Sequence, residues 1–451
     1  MHFSRASYKH LEFRVAPRIL AAMSLPETIY SLAVHTARPL LSAAAPFSTK
    51  LRAGIHGRRA ATERIVDWAN ASRDAVRPLV WLHAPSVGES LMAQAIVTEL
   101  RTLRPDLQIV FTFFSPSAER AARHVGADLA EYLPWDTRVA MENVLHALKP
   151  NVMAFVRTEI WPNLVKTAAT RAIRTCMVNA VLSPGSSRLR FTARWLLKPA
   201  YQRIDSVGAI AQRDADRFRQ LGVKPDRIRV TGDARFDQVH ARVQSLDHNQ
   251  PLLERLRDRA RTTVVAGSTW PADEEELIPA FASARKGCPL RLIIAPHEPS
   301  TAHLRQLEQR LDEAKVPHAR LIEIESGPSP LPDVVVVDRV GVLADLYAVA
   351  AVAYVGGGFH SAGLHSIIEP AALGVPVIFG PRHGNAREAD ELAGTGGGFV
   401  ASDGATFASA LLDLAARPQH RKMASDAARH YVVSKLGGAK RNAQLITELL
   451  D

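Results

Sequence analysis

Ten short apolar runs, separated by stretches of helical spacing, restrict what this chain can fold into. Leu79–His83, Ile109–Phe113, Val152–Phe155, Cys176–Asn179 and Val207–Ala211 form a first series. Thr262–Ala266, Arg291–Ala295, Val334–Asp338, Ala353–Val355 and Val375–Phe379 form a second. Each is short, rich in β-branched or aromatic residues, and bounded by polar or small ones, so each reads as a buried strand. Segments such as Ser90–Leu103 between them carry the helical repeat. Regular alternation of strand and helix demands right-handed crossovers and a parallel sheet with helices on both faces. The run Val334-Val335-Val336-Val337 fits only a strand covered on both sides. The rhythm pauses across the polar, turn-rich stretch Gln238–Pro251 and then restarts.

The expected fold class is therefore α/β, with two Rossmann-like doubly wound domains facing a cleft. Residues 1–23 read as a poorly patterned basic extension, and 24–60 as a membrane-associating segment. Residues 61–240 read as a first domain, 241–257 as a linker and 258–435 as a second domain. Residues 436–451 read as a terminal helix that either domain could own. Met23 offers an alternative start to Met1. Ser326-Gly327-Pro328-Ser329-Pro330-Leu331-Pro332 reads as a surface loop. In such sheets ligands bind at the carboxyl ends of the strands, so chemistry is expected on the loops that follow them.

Charge narrows the partners. The chain has 56 Lys+Arg against 45 Asp+Glu, a formal +11, which favours polyanions such as anionic lipid headgroups or phosphorylated substrates. No Lys/Arg run with interleaved aromatics is present, so nucleic acid is not an expected partner. The two cysteines, Cys176 and Cys288, each lie in an apolar stretch, and both are expected as buried thiols in a reducing compartment. No segment reaches the roughly 20 apolar residues of a membrane span. The nearest, Ile29–Phe47, is broken by Arg38, Pro39 and Pro46 and followed by Lys50, Arg52, Arg58 and Arg59. It fits either an interfacial segment or an ordinary docking helix.

Three motifs follow strands in the first half. In His83–Ser90, Gly88 is expected to make a tight turn and the helix start to favour an anion. Glu89 then stands where a carboxylate can act as general base or simply cap the helix. Ser115 and Ser117 lie at a second helix start, with Ser86 as a further hydroxyl. Glu159, stiffened by Trp161 and Pro162, could support Glu89 or orient a substrate hydroxyl. In the second half, Ser268 and Thr269 follow a strand after Gly267, and His297 follows the next. Residues 355–385 hold Gly357 and Gly358, whose amides could approach a phosphate. A helix is expected from near Leu364–Ser366, with Pro370 as a possible first residue. Ser361, His365, Ser366 and Arg382 lie around it, and Glu369 could accept from two ribose hydroxyls. The dinucleotide fingerprint is absent. Neither a metal nor another cofactor is indicated.

Taken in order, HAPSVGE, TFFSPSAE, YLPWD, TEIWPNL, VNAVLS, AQRDADRFRQLG, VTGDARFD, AGSTW and GGFHSAGLHSIIEPAALGVPVIFGP resemble the Kdo (3-deoxy-D-manno-octulosonic acid) transferases. The likeness covers roughly residues 24–450. It implies a GT-B glycosyltransferase of lipopolysaccharide biosynthesis that moves Kdo from CMP-Kdo to a lipid A precursor, lipid IVA. The transfer would be inverting and metal-independent, at the cytoplasmic face of the bacterial inner membrane, with a peripheral or monotopic attachment to its anionic surface. It gives Glu89 the role of base. It gives CMP contacts to Glu369, to the loop around Gly357–Ser361, to Ser268 and to His297, with Arg382 nearby. The chain departs from the family pattern at Arg157, where many members carry Glu, at Ser366, and at Ala295–Pro299. The residues alone also fit a UDP-sugar transferase, an epimerase, or a non-catalytic homologue that binds glycolipid or nucleotide.

Overall fold

The computed structural model describes residues 24–258, 260–327 and 331–450. The extension 1–23, Met23 included, and part of the 326–332 loop lie outside the described residues. The chain divides into two compact units. One runs to Gly232 and is rejoined at Gly438; the other is Asp233–Gly437.

Each unit is built on a seven-stranded sheet. The first has the order β3-β2-β1-β4-β5-β6-β7, from β1 (Leu79–His83), β2 (Gln108–Phe113), β3 (Leu129–Tyr132), β4 (Val152–Val156), β5 (Arg174–Ala180), β6 (Ser206–Ala209) and β7 (Ile228–Val230). The second has the order β10-β11-β9-β8-β12-β13-β14. Its strands are β8 (Thr262–Thr269), β9 (Leu290–Pro296), β10 (His318–Arg320), β11 (Val334–Val336), β12 (Val352–Val355), β13 (Val377–Phe379) and β14 (Gly398–Val400). Every pairing is parallel. Two Rossmann-like domains are thus present, as the strand–helix rhythm requires.

All ten runs picked out in the sequence are strands. The four strands that were not picked out, β3, β7, β10 and β14, are the four sheet edges. Their residues are largely half-buried or exposed, so they lack the apolar run that marks an interior strand. Interior strands such as β1, β2 and β4 are buried throughout.

The terminal helix Gly438–Thr447 belongs to the first unit and packs on helix Val87–Leu103 and on β5. Asn442, fully buried, fixes it there. Its Oδ1 accepts from the Asn179 N–H at 2.9 Å and from the Thr231 hydroxyl at 3.0 Å, and its Nδ2 donates to the Gly438 carbonyl at 2.7 Å. Gly208 leaves the room: a Cβ there would stand 2.6 Å from Asn442 Oδ1. The stretch 241–257, expected as a linker, contains the end of helix Ala234–Gln244 and helix Pro251–Leu256. Leu253 and Leu256 anchor the latter in the second core. Cys176 is buried as expected, whereas Cys288 is only half-buried, because it follows a helix end.

Asn442→Ala removes the Oδ1 that accepts from the Asn179 N–H and the Thr231 hydroxyl in a buried setting. It is expected to destabilise the first unit by about 2 kcal/mol, read as a lowered urea midpoint.

Candidate functional site

Two constellations stand at the carboxyl ends of the strands, one in each unit. In the first, the loop after β1 is tied to the loop after β2: the Ala84 N–H donates to Thr112 O at 3.0 Å, and the Ser115 N–H to Pro85 O at 2.8 Å. This brings Ser115 and Ser117 beside the start of helix Val87–Leu103. Their hydroxyls lie 2.8 Å apart and bond each other; neither side chain caps a helix, and the chain there forms a 3₁₀ turn, Pro116–Ala118, that runs into the short helix Glu119–Ala122. Ser86 is the N-cap residue, and its hydroxyl donates to Glu89 on the first turn. Gly88 lies inside that turn with ordinary helical backbone, so the tight turn expected of it is not made. A Cβ at Gly88 would meet nothing within 4 Å, so the helix start is open on that side.

Glu89 is half-buried. Burial raises its pKa, while the Arg157 guanidinium and hydrogen bonds from the helix start oppose the rise. Glu159 is near enough to feel its charge. Burial raises the Glu159 pKa first, Arg188 lowers it, Glu89 raises it, and Arg58 lowers it. The two carboxylates thus share one patch with Arg58, Arg157 and Arg188.

Several supports of this patch were not singled out in the sequence. His83 is fully buried. Its Nε2 accepts from the Trp161 indole at 3.1 Å, so its Nδ1 carries the proton toward the Thr112 hydroxyl, also at 3.1 Å. Burial holds it neutral, with a pKa of about 3. Trp161 stacks on Phe114, ring centroids 5.2 Å apart, so it is a packing residue. Arg58 lies over the Phe114 ring at 3.6 Å from its centroid, and burial lowers its pKa to about 10. Asp136 accepts from the Asn163 and Leu164 N–H groups at 3.0 and 2.9 Å, which fixes the start of helix Pro162–Thr170 beside Glu159. None of these contacts has a local sequence signal, because every partner is distant in the chain.

In the second unit, β8 bulges between Gly267 and Thr269, and Ser268 takes a φ of 54° there. Ser268 is half-buried at the strand end. Thr269 is fully buried and its hydroxyl donates to Glu274 at 2.9 Å, so it faces the core. Trp270 stacks on His360 at 4.1 Å and on His297 at 4.8 Å, and its indole donates to His365 Nε2 at 3.0 Å. His297 and His365 stand 4.4 Å apart. Burial lowers the His365 pKa, and His297 adds to that effect. Trp270, His297, Glu298, Ser300 and His303 line a cavity of about 320 Å³. The sequence reading had His297 and His365 here but neither Trp270 nor His360.

The glycine run is fixed by a buried carboxylate and by close chain packing. Asp273, fully buried, accepts from Trp270 N at 2.9 Å, Tyr354 Oη at 2.8 Å, Gly357 N at 2.7 Å and Phe359 N at 3.1 Å. The Gly357 amide is therefore taken. Gly357 has a φ of 94°, and a Cβ on Gly358 would stand 2.5 Å from the Gly380 backbone. Close chain packing makes glycine necessary at both. The expected helix starts later than Leu364–Ser366, as the five-residue Ile368–Ala372. Pro370 falls within its first turn, where no N–H is needed. Ser361 and Ser366 are exposed. Arg382 is exposed, and its N–H donates to Gly358 O at 2.9 Å. Glu369, its pKa raised chiefly by burial, lines a small recess with Arg242 and Asp345.

The fold, two Rossmann-like domains each on a parallel sheet, is shared with solved two-domain proteins. The chain is similar to UDP-GlcNAc 2-epimerase from Neisseria meningitidis bound to UDP-GlcNAc, with TM-score 0.58, 12% identity and coverage of 82% of this chain and 99% of that one. It is also similar to a glycosyltransferase from Rickettsia africae, with TM-score 0.56, 12% identity and coverage of 83% and 99%. At such identities the likeness concerns the fold alone. Residues 58–238 match the family model "3-Deoxy-D-manno-octulosonic-acid transferase (kdotransferase)". The Bordetella pertussis 3-deoxy-D-manno-octulosonic acid transferase is 29% identical over 82% of this chain and 87% of its own length. That of Rickettsia felis is 26% identical over 68% of this chain, which spans 64% of that relative's length. The chain is thus similar to the Kdo transferases over most of its length.

One ion pair beside the second constellation makes a pH prediction. His303 Nε2 stands 3.0 Å from buried Glu274, and its Nδ1 stands 3.1 Å from Glu298 O. With oxygen acceptors at both nitrogens, the charged ring is favoured, and the hydrogen bond to Glu274 raises its pKa above the ordinary 6.5. The stabilisation is fully present below the unfolded histidine pKa and is lost as pH rises through the raised folded value. Thermal scans are expected to show wild type losing this increment above about pH 6.5, and His303→Gln lacking that dependence.

Proposed function

We propose that this chain transfers Kdo from CMP-Kdo to a lipid A precursor, with inversion and without a metal. The observation that carries the reading is Glu89 on the first turn of helix Val87–Leu103. It is half-buried, bonded by Ser86, beside Glu159, and next to the open space over Gly88. It lies within the segment that the family model matches. The Kdo transferases that the chain resembles act on this donor sugar by name.

In this reading the Glu89 carboxylate takes the proton from an acceptor hydroxyl as that oxygen forms its bond to the anomeric carbon of Kdo. The bond from that carbon to the phosphate oxygen breaks, and CMP departs with the electron pair. Ser115, Ser117 and Glu159 would orient the acceptor. Ser268, His297, Ser361, His365, Ser366 and Arg382 would meet the nucleotide phosphate, with Glu369 on the ribose. Glu89→Gln removes the proton acceptor with little change in shape. Turnover of CMP-Kdo and tetra-acylated lipid A precursor, read by mass spectrometry, is expected to fall about a thousandfold while CMP binding persists. Wild-type turnover by this variant would refute the assignment.

The reading includes attachment to an anionic membrane surface. Among the described residues no helix is long and apolar enough to cross a membrane. Helix Leu25–Ala44 instead turns its polar side inward. Glu27 pairs with Lys166 at 3.2 Å and Arg203 at 2.9 Å, Tyr30 donates to Asp136 at 2.9 Å, and Ser31 donates to Asn163 at 2.7 Å. Leu25, Ile29, Leu32 and Leu40, which recur on the opposite face, are exposed, as are Phe47, Phe191 and Trp195. Arg38, Lys50, Arg52, Arg190 and Arg194 stand exposed in the same segments. An apolar outer face with a basic border suits a lipid interface. Leu32→Asp with Phe47→Asp is expected to reduce sedimentation with anionic liposomes several-fold. Unchanged partitioning would count against this surface.

A further inference from the structure

We propose that Trp270 is a positioning residue that holds His365 as the ring protonated at Nδ1, and so presents that N–H to a phosphate oxygen of the donor nucleotide. The inference rests on the reading of His365 as a contact of that phosphate. The Trp270 indole N–H donates to His365 Nε2 at 3.0 Å. An indole nitrogen only donates, so Nε2 carries the lone pair and the ring proton sits on Nδ1. A proton on Nε2, in the other tautomer or in the charged ring, would set two N–H groups against each other. Burial and the neighbouring His297 also disfavour the charged ring.

The indole is held in place from several sides. Asp273 accepts from the Trp270 N–H at 2.9 Å and from the N–H groups of Gly357 and Phe359 at 2.7 and 3.1 Å. One buried carboxylate thus ties the backbone of Trp270 to the loop that carries His360. The His360 ring lies parallel to the indole, with centroids 4.1 Å apart and planes 2° apart. His297 stacks on the indole at 4.8 Å and packs against His365 at 4.4 Å. The His365 ring is itself fixed. Its backbone N–H donates to Gly356 O at 3.1 Å, and a Cβ on Gly357 would stand 3.2 Å from its Cδ2. The glycine run therefore meets the Cδ2 edge and the indole meets Nε2. Nδ1 lies on the edge opposite Cδ2, and among the described residues no acceptor meets it. An N–H fixed on a half-buried ring gains most from an anionic oxygen. A donor set in place beforehand needs no reorganisation as charge develops on the leaving phosphate.

The test uses the full chain labelled with 15N-histidine. The long-range 1H–15N spectrum of the imidazoles reports which nitrogen of each ring carries the proton, and His365→Asn identifies the His365 signals. Wild type is expected to show His365 protonated at Nδ1. Trp270→Phe keeps an aromatic ring in the stack but removes the indole N–H, and is expected to shift the proton toward Nε2. Calorimetric binding of CMP and of cytidine reads the phosphate contact. Trp270→Phe is expected to lower the ratio of CMP to cytidine affinity about tenfold. His365→Asn places an amide N–H near the Nδ1 position and His365→Gln places it near Nε2, so the Asn variant is expected to keep more of the ratio. Wild-type His365 protonated at Nε2, a ratio unmoved in Trp270→Phe, or a ratio better kept by Gln than by Asn would overturn the proposal. Wild type that binds CMP no more tightly than cytidine would overturn the nucleotide reading, whereas the tautomer in the spectrum decides the role of Trp270 by itself.

Discussion

Burial of both faces of each parallel sheet is the constraint from which the rest follows. Interior strands such as β1, β2, β4 and β9 are covered throughout, so they cannot present polar side chains to a substrate. Polar chemistry is left to the strand ends, where the chain must reverse into a helix and where helix starts supply unpaired N–H groups. Glu89, Glu159, Ser268 and His297 all lie at such ends. Their placement is a consequence of sheet burial.

The two constellations use this constraint differently. In the first unit, two carboxylates are held close together in a half-buried patch, an arrangement that by itself favours protonation. Arg58, Arg157 and Arg188 offset it. In the second unit, the strand ends are joined by backbone contacts so close that side chains do not fit. Gly356 lies against Ser268, Gly358 against Gly380, and Gly357 against Gly363. Asp273 then fixes the loop through four hydrogen bonds from one buried carboxylate. The result is a close-packed frame around Trp270 and three imidazoles.

Much of the fold was legible because it depends on local pattern. An interior strand must be apolar along its whole length, and the ten that were expected are all present. The edges β3, β7, β10 and β14 were not legible, since a strand bordered on one side by solvent has no need of an apolar run. The same division runs through the site. Glu89 and Glu159 were legible because each follows a strand within a short motif. Trp270 and His360 were not, since they meet across 90 positions of sequence, and nothing around either residue announces a stacked partner.

The sequence by itself determined that two parallel α/β units would form, and that carboxylates, serines and histidines would gather at their strand ends. Period and burial are properties of neighbouring residues. Tertiary structure decided what those residues meet. It gave the Gly357 amide to Asp273, turned Thr269 to the core, returned the terminal helix to the first unit through Asn442, and faced the apolar side of helix Leu25–Ala44 outward. Each of these depends on partners far apart in the chain. A hydrogen bond or ion pair is specified by geometry in space, which no local pattern of residues encodes.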